Sequence, residues 1–218
     1  MQVQFDAIRK TFGRAPRTRV VLDRVTFELT PAAFHVLRGP SGAGKSTLLS
    51  IAAGLIEASE GTVRFDGQEP WREGEAKSAR FRREHVGVVF QTGRVLPGLN
   101  VLENVALPLR FLRRKDARDR ARAALERFSI GELAEAMPDQ LSVGELQRAS
   151  VARALLAEPS VVFADEPTSN LDDASATIVR DALRDAWRRG ATVLVATHDD
   201  ALIAPGDRVI ALNEGRLS

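Results

Sequence analysis

Nine consecutive residues carry the clearest chemistry in the chain. Gly39-Pro40-Ser41-Gly42-Ala43-Gly44-Lys45-Ser46-Thr47 has the spacing G-x-x-x-x-G-K-[ST]. Glycines in that pattern let backbone N–H groups turn inward around an anion, and a helix starting behind them adds its unpaired donors and the positive end of its dipole. Lys45 is placed to reach terminal phosphates, and the Ser46 hydroxyl to sit on Mg²⁺. An apolar strand-like run, Phe34 to Leu37, leads in, and a helix-like run, Lys45 to Leu55, leads out. The chemistry indicated is binding of a nucleoside triphosphate. The plainer alternative is a glycine-rich turn capping an ordinary helix.

Further candidates stand at the ends of other apolar runs. Asp165-Glu166 closes the run from Ser160. Asp165 is a candidate metal ligand and Glu166 a candidate general base for an attacking water, an effect of about 10²–10⁴-fold. Gln91 follows Val86 to Phe90, and its amide oxygen could serve the metal or the water. His198 follows Thr192 to Ala196 and could bond the terminal phosphate; His35 and His85 have no such context and are read as structural. Each also has a plain reading as a solvated strand end. Ser142-Val143-Gly144-Glu145 spells a capping box, S-x-x-E, at the start of a helix reaching about Ala157. A helix start with a hydroxyl and a glycine is also anion-ready, so the chain has two such starts.

The elements that must hold these residues are legible in outline. Residues 2–9 and 20–29 alternate as strands, with Lys10 to Gly13 and a basic stretch, Arg14 to Arg19, read as loop between them. Phe12 in that loop is either a folded-back core residue or a ring open to a nucleobase. Gly61 to Phe65 reads as a strand ending in the turn Asp66-Gly67, and residues 73–84 as a charged helix. Asn100 and Glu103 form a second capping box, with helical character expected to run, interrupted at Pro108, through Arg113 and again from Asp116 to Phe128. Asp172 to Arg189 is an amphipathic helix stopped by Gly190, and Arg208 to Leu212 is a last strand. Strands alternating with helices imply a mostly parallel sheet, whose strand ends would bring Gly39, Gln91, Asp165 and His198 to one edge.

The bulk numbers narrow the function. In 218 residues, 31 Lys and Arg against 29 Asp and Glu leave +2, a balance that argues against a nucleic-acid partner. There is no cysteine, hence no disulfide or thiolate metal site. No signal peptide is expected from the first residues, and no apolar run approaches the ~18 residues of a membrane span. The basic residues from Arg110 to Arg122 read as a solvated helix face, with anionic lipid as the sharper alternative.

Taken together, Leu141-Ser142-Val143-Gly144-Glu145, Gly39 to Thr47, Gln91, Val161 to Glu166, Ser169-Asn170-Leu171-Asp172 and His198 resemble, in order, the motifs of ATP-binding cassette (ABC) ATPases. The resemblance implies an α/β P-loop NTPase fold. Its core would have a mostly parallel sheet (1–91 and 158–218), an N-terminal antiparallel β part and a helical subdomain near 92–157. It implies a head-to-tail homodimer with two ATP, each between residues 39–47 of one chain and Ser142 and Gly144 of the other. It also implies Phe12 stacking on adenine, Lys45, Glu166 and His198 in catalysis, and Ser46, Gln91 and Asp165 about Mg²⁺. Ser169 to Asp172 would cross the dimer seam. Leu96 to Val105 resembles a subgroup serving lipoprotein release, macrolide-type export and cell division. A multi-span permease is the implied partner, placing the chain on the inner face of the cell membrane. A soluble ABC protein of DNA repair or translation would carry coiled coils or two cassettes, which this sequence lacks; an importer subunit is a further alternative. Val143 and Ser169 each replace a glycine usual in the family.

Overall fold

The computed structural model describes residues 1–14 and 17–217, with no side-chain description for Arg14. The chain opens with an antiparallel hairpin, β1 (Val3–Arg14) and β2 (Arg17–Leu29), and then β3 (Phe34–Arg38) enters the main sheet. Next come α1 (Lys45–Ala52), β4 (Glu60–Phe65), α2 (Glu75–His85) and β5 (Val86–Val89). Three helices follow without an intervening strand: α3 (Val101–Phe111), α4 (Ala117–Arg127) and α5 (Val143–Leu155). β6 (Val161–Asp165), α6 (Asp173–Arg188), β7 (Thr192–Ala196), β8 (Arg208–Asn213) and β9 (Arg216–Leu217) complete the fold.

Two sheets result. β2-β1-β4 is antiparallel; β5-β6-β7-β3-β8-β9 is parallel except for its last pair. The central strands β3, β6 and β7 are buried on both faces, and their side chains alternate between two cores. Val36, Val162, Ala164, Val193 and Val195 pack toward α3 to α6, whereas Leu37, Val161, Phe163, Leu194 and Ala196 pack toward α1 and the antiparallel sheet. Period-2 alternation on a doubly covered sheet explains why these runs are apolar throughout. The architecture is an antiparallel N-terminal sheet, a mostly parallel main sheet and a helical subdomain.

Three expectations are corrected. Arg208 to Leu212 is not the last strand, because the turn after Asn213 returns the chain as β9, with Leu217 opposite Leu212. The stretch from Lys10 to Arg19 is not loop: β1 and β2 continue through it, pairing Phe12 with Arg19 and Gly13 with Thr18, while Ala15 and Pro16 lie outside the described residues. Register shifts near Ile8 and Lys10 break the simple alternation that a sequence reading relies on. Pro108 does not interrupt α3. The turns on either side are held by packing, since Val105, Ala106 and Leu109 are buried in the core, and that burial outweighs the one lost N–H bond. The basic residues of α4 have acidic partners: Arg118 and Arg122 share Glu135, Arg120 meets Glu158 and Arg127 meets Asp185, while Arg114 meets Asp116 just ahead of the helix.

Candidate nucleotide site

Four strand ends meet at one cavity of about 590 Å³, lined by Ser41 to Thr47, Gln91, Asp165, Glu166 and His198, with Arg19, Val21 and Ser169. The register explains the meeting. β3 runs beside β7 with Leu37 opposite Ala196, and β7 runs beside β6 with Ala196 opposite Asp165. Three chain segments distant in sequence therefore end at one level, and β5 beside β6 adds Gln91 at the flank.

The loop from Gly39 bends into α1 through Gly44, which caps the helix in the left-handed region at φ 104°. A Cβ there would stand 2.8 Å from Leu22 Cδ2 and 2.9 Å from the Val21 carbonyl, so only glycine fits. The cap offers no side-chain acceptor and the first turn has no acid, so the first N–H groups of α1 remain open donors. Lys45 is buried and folds back: its ammonium donates to the carbonyls of Gly39 (2.7 Å) and Pro40 (3.2 Å) and lies 3.2 Å from His198 Nε2.

Glu166 occupies the left-handed region at φ 43° for a non-glycine residue, and its N–H donates to the Ala196 carbonyl at 2.8 Å. That turn ties it to the end of β7. Its carboxylate accepts from the His198 N–H (3.2 Å) and approaches His198 Nε2 at 3.4 Å. Ser169, the residue in place of a glycine, donates its hydroxyl to the Glu166 carbonyl at 2.9 Å. Asp165 Oδ1 is buried and has no protein partner. A buried carboxylate oxygen without a donor is costly in an apolar site, which fits a residue whose partner is a cation. No cluster of three or more His, Cys, Asp or Glu side chains suited to a metal occurs among the described residues, so a hard cation here would draw on the Ser46 hydroxyl and the Gln91 amide beside Asp165.

Not every sequence candidate reaches this cavity. Phe12 is 45% exposed on β1, which removes the core alternative; its cross-strand partner Arg19 lines the cavity, and the Lys10 ammonium sits 5.1 Å from its ring. Ser142 and Gly144 are elsewhere, at the start of α5. There the Ser142 N–H and hydroxyl both donate to Glu145 Oε2 (2.8 Å each), and the Glu145 N–H returns to Ser142 Oγ at 3.3 Å. Those donors, the backbone N–H first, hold the Glu145 carboxyl below its usual range. His35 is buried within β3 of the main sheet, and its Nε2 accepts from the Thr30 N–H at 3.2 Å.

Sequence reasoning missed Arg19 and Val21 as cavity residues, because Arg19 was read as loop and Val21 only as one residue of an alternating strand. It also missed Asn104, which is fully buried. Its amide accepts from the Leu96 N–H (2.6 Å) and donates to the carbonyls of Leu96, Leu99 and Asn100 (3.0, 2.9 and 3.1 Å), so one side chain sets the loop after Gln91. A lone asparagine one turn into a helix gives no sequence signal of that clamp.

With this geometry in view, comparison with known proteins places the chain. The family model described as ABC transporter matches residues 22–169. The chain is 40% identical over 211 residues to the lipoprotein-releasing system ATP-binding protein LolD of Pseudomonas syringae pv. tomato, covering 95% of this chain and 93% of that protein. It is 39% identical to the uncharacterized ABC transporter ATP-binding protein Rv0986 of Mycobacterium tuberculosis, covering 99% of this chain and 88% of that one. Among solved structures it is similar to the dimeric post-hydrolysis state of the ATP-binding cassette MJ0796 bound to ADP and Pi. The TM-score is 0.93 at 33% identity, over 99% of this chain and 96% of that chain. The chain belongs to the ABC transporter family, as an ATP-binding and ATP-hydrolysing subunit.

Proposed function

We propose that the chain is the motor of a lipoprotein-release or export-like membrane complex, with residues 1–91 and 158–218 as its core and about 92–157 as its helical subdomain. It works as a head-to-tail homodimer on a multi-span permease at the inner face of the cell membrane, without a nucleic-acid partner. No helix among the described residues is long and apolar enough to cross a membrane, so attachment would run through that partner. The observation that carries the reading is the meeting of the phosphate loop, Gln91, Asp165, Glu166 and His198 in one cavity.

The residue roles we infer are those the family resemblance implies, and the positions of the cavity residues support them. On nucleotide arrival Lys45 exchanges the Gly39 and Pro40 carbonyls for phosphate oxygens, and the open donors of α1 complete the cradle. Ser46, Gln91 and Asp165 would hold Mg²⁺, which supplies charge neutralisation between the phosphates. Glu166 takes the proton of the attacking water, and His198, within reach of both Lys45 and Glu166, bonds the terminal phosphate. Phe12 offers its exposed ring to the adenine. Ser142 and Gly144 serve the nucleotide of the second chain.

The membrane side of the reading rests on the loop Leu96 to Asn100. Leu96 is 50% exposed although its backbone is pinned on both sides by Asn104. A rigid loop presenting leucine to water is a docking surface for a partner's apolar segment. Leu96→Asp is expected to abolish copurification with a coexpressed permease partner while the isolated subunit keeps its basal ATPase. Undiminished copurification would remove this loop from the interface.

A further inference from the structure

α5 is fastened to the site at a second point, five residues beyond Ser142. Gln147 is 3% exposed. Its Nε2 donates to the Phe90 carbonyl at 2.9 Å and to the Pro167 carbonyl at 3.2 Å. Phe90 immediately precedes Gln91, and Pro167 immediately follows Glu166. Both facing groups are carbonyl oxygens, so only the –NH₂ end of the amide can meet them. Its Oε1 is left buried without a partner. An unpaired buried acceptor opposes folding, so this glutamine is held for its two donated bonds, not for its own solvation. The backbone joins at the same place. A Cβ on Gly93 would lie 2.6 Å from the Leu146 carbonyl group and 2.8 Å from the Gln147 nitrogen, so the loop after Gln91 rests on the α5 backbone itself.

We propose that Gln147 is a positioning residue that ties the helix beginning at Ser142 to the carbonyls beside Gln91 and Glu166, so that a shift of α5 moves both together. The proposal rests on the ATPase reading above. An α-helix is stiff along its axis, and Ser142 and Gln147 are only about 7.5 Å apart along it. A phosphate docking on Ser142 from the second chain loads one end of this rod, and the amide passes the displacement to the sheet edge. The bonds join two segments that contribute different chemistry, the amide of Gln91 and the carboxylate of Glu166. A misplacement of about 1 Å in such a group can cost about 10²-fold in rate.

The test compares two substitutions in the full chain. Gln147→Leu removes both donors at nearly constant volume. Its kcat should fall about 10–100-fold, the usual cost of removing a group that orients a site residue. Its Kd for ATP measured without metal should stay within about twofold of wild type, because the phosphate loop is untouched. Gln147→Glu adds a pH readout that a purely structural role would not give. As a carboxylate the new group repels both carbonyls; as a buried acid it protonates readily and donates one O–H. Its kcat relative to wild type should therefore rise as pH is lowered, whereas Gln147→Leu shows no such recovery. The proposal is overturned if Gln147→Leu keeps kcat within twofold, if kcat and metal-free ATP affinity fall together, or if the Gln147→Glu profile parallels wild type. Should Gln147→Leu fail to fold, the Gln147→Glu profile decides. Absence of turnover in the wild-type chain would instead overturn the ATPase reading, and this inference with it.

Discussion

The two glycine-bearing helix starts, at Gly44 and at Ser142, are alike in sequence logic and opposite in state. The start of α1 is open: no side chain caps it, no acid stands in its first turn, and its donors face a cavity. The start of α5 is closed: Ser142 and Glu145 satisfy each other in a complete capping box. An open start waits for an anion, whereas at the closed start the Ser142 hydroxyl already donates to a carboxylate, that of Glu145, and must release it to donate to another. The glycines differ in the same sense. Gly44 is required by its own chain, but a Cβ on Gly144 would meet only Leu171 Cδ2 at 3.6 Å and Ser175 Oγ at 4.0 Å, ordinary contacts. Within one chain nothing demands Gly144, which fits a position shaped by something outside that chain.

The largest expected effect asks whether hydrolysis belongs to the open start. Glu166→Gln should lower the rate of phosphate release about 10²–10⁴-fold while equilibrium ATP binding persists. Near-normal turnover would remove this carboxylate from the base role.

Next in size is the assignment of the closed start to a second chain. Lys45→Ala and Gly144→Asp should each abolish ATP-dependent dimerisation alone. Mixed, they can form one composite site with both defects and one with neither, and trapped nucleotide or dimer should reappear by light scattering. No recovery from two folded variants would mean that each chain serves its own nucleotide.

A smaller effect separates the two glycines directly. Gly44→Ala should destabilise the fold by about 1–3 kcal/mol, the cost of holding alanine in a strained left-handed backbone. Gly144→Ala, inside a helix, should raise stability by up to about 1 kcal/mol. Denaturant midpoints of the two variants check the contrast; equal losses would refute it.

The smallest effect is a pH dependence confined to the closed start. Glu145 has a folded pKa depressed below its usual value by the Ser142 donors. Its contribution is fully present above the ordinary carboxylate pKa and is lost as pH falls through the lowered value. Amide exchange at Gly144 to Leu146, corrected for intrinsic rates, should therefore accelerate below about pH 4 relative to exchange at Ser46 to Leu48. Parallel behaviour of the two helix starts would show that the capping box has no such role.

What the sequence determined by itself was local. The phosphate loop, both capping boxes and the apolar strand runs are written in contiguous residues, and their physics needs only backbone geometry and near neighbours. The parallel sheet followed from the alternation of those runs with helices, so the shared edge of Gly39, Gln91, Asp165 and His198 was legible as well. Only the tertiary structure decided the rest. Arg19 joined the cavity because a shifted hairpin register carried it there, and Pro108 stayed helical because buried neighbours outweighed its missing donor. Gln147 is one glutamine among a helix's polar residues until the order β5-β6-β7 brings the carbonyls of Phe90 and Pro167 to its amide. A single polar side chain has no period and no spacing to betray it; its partners are fixed by which strands lie side by side, a property of the whole chain.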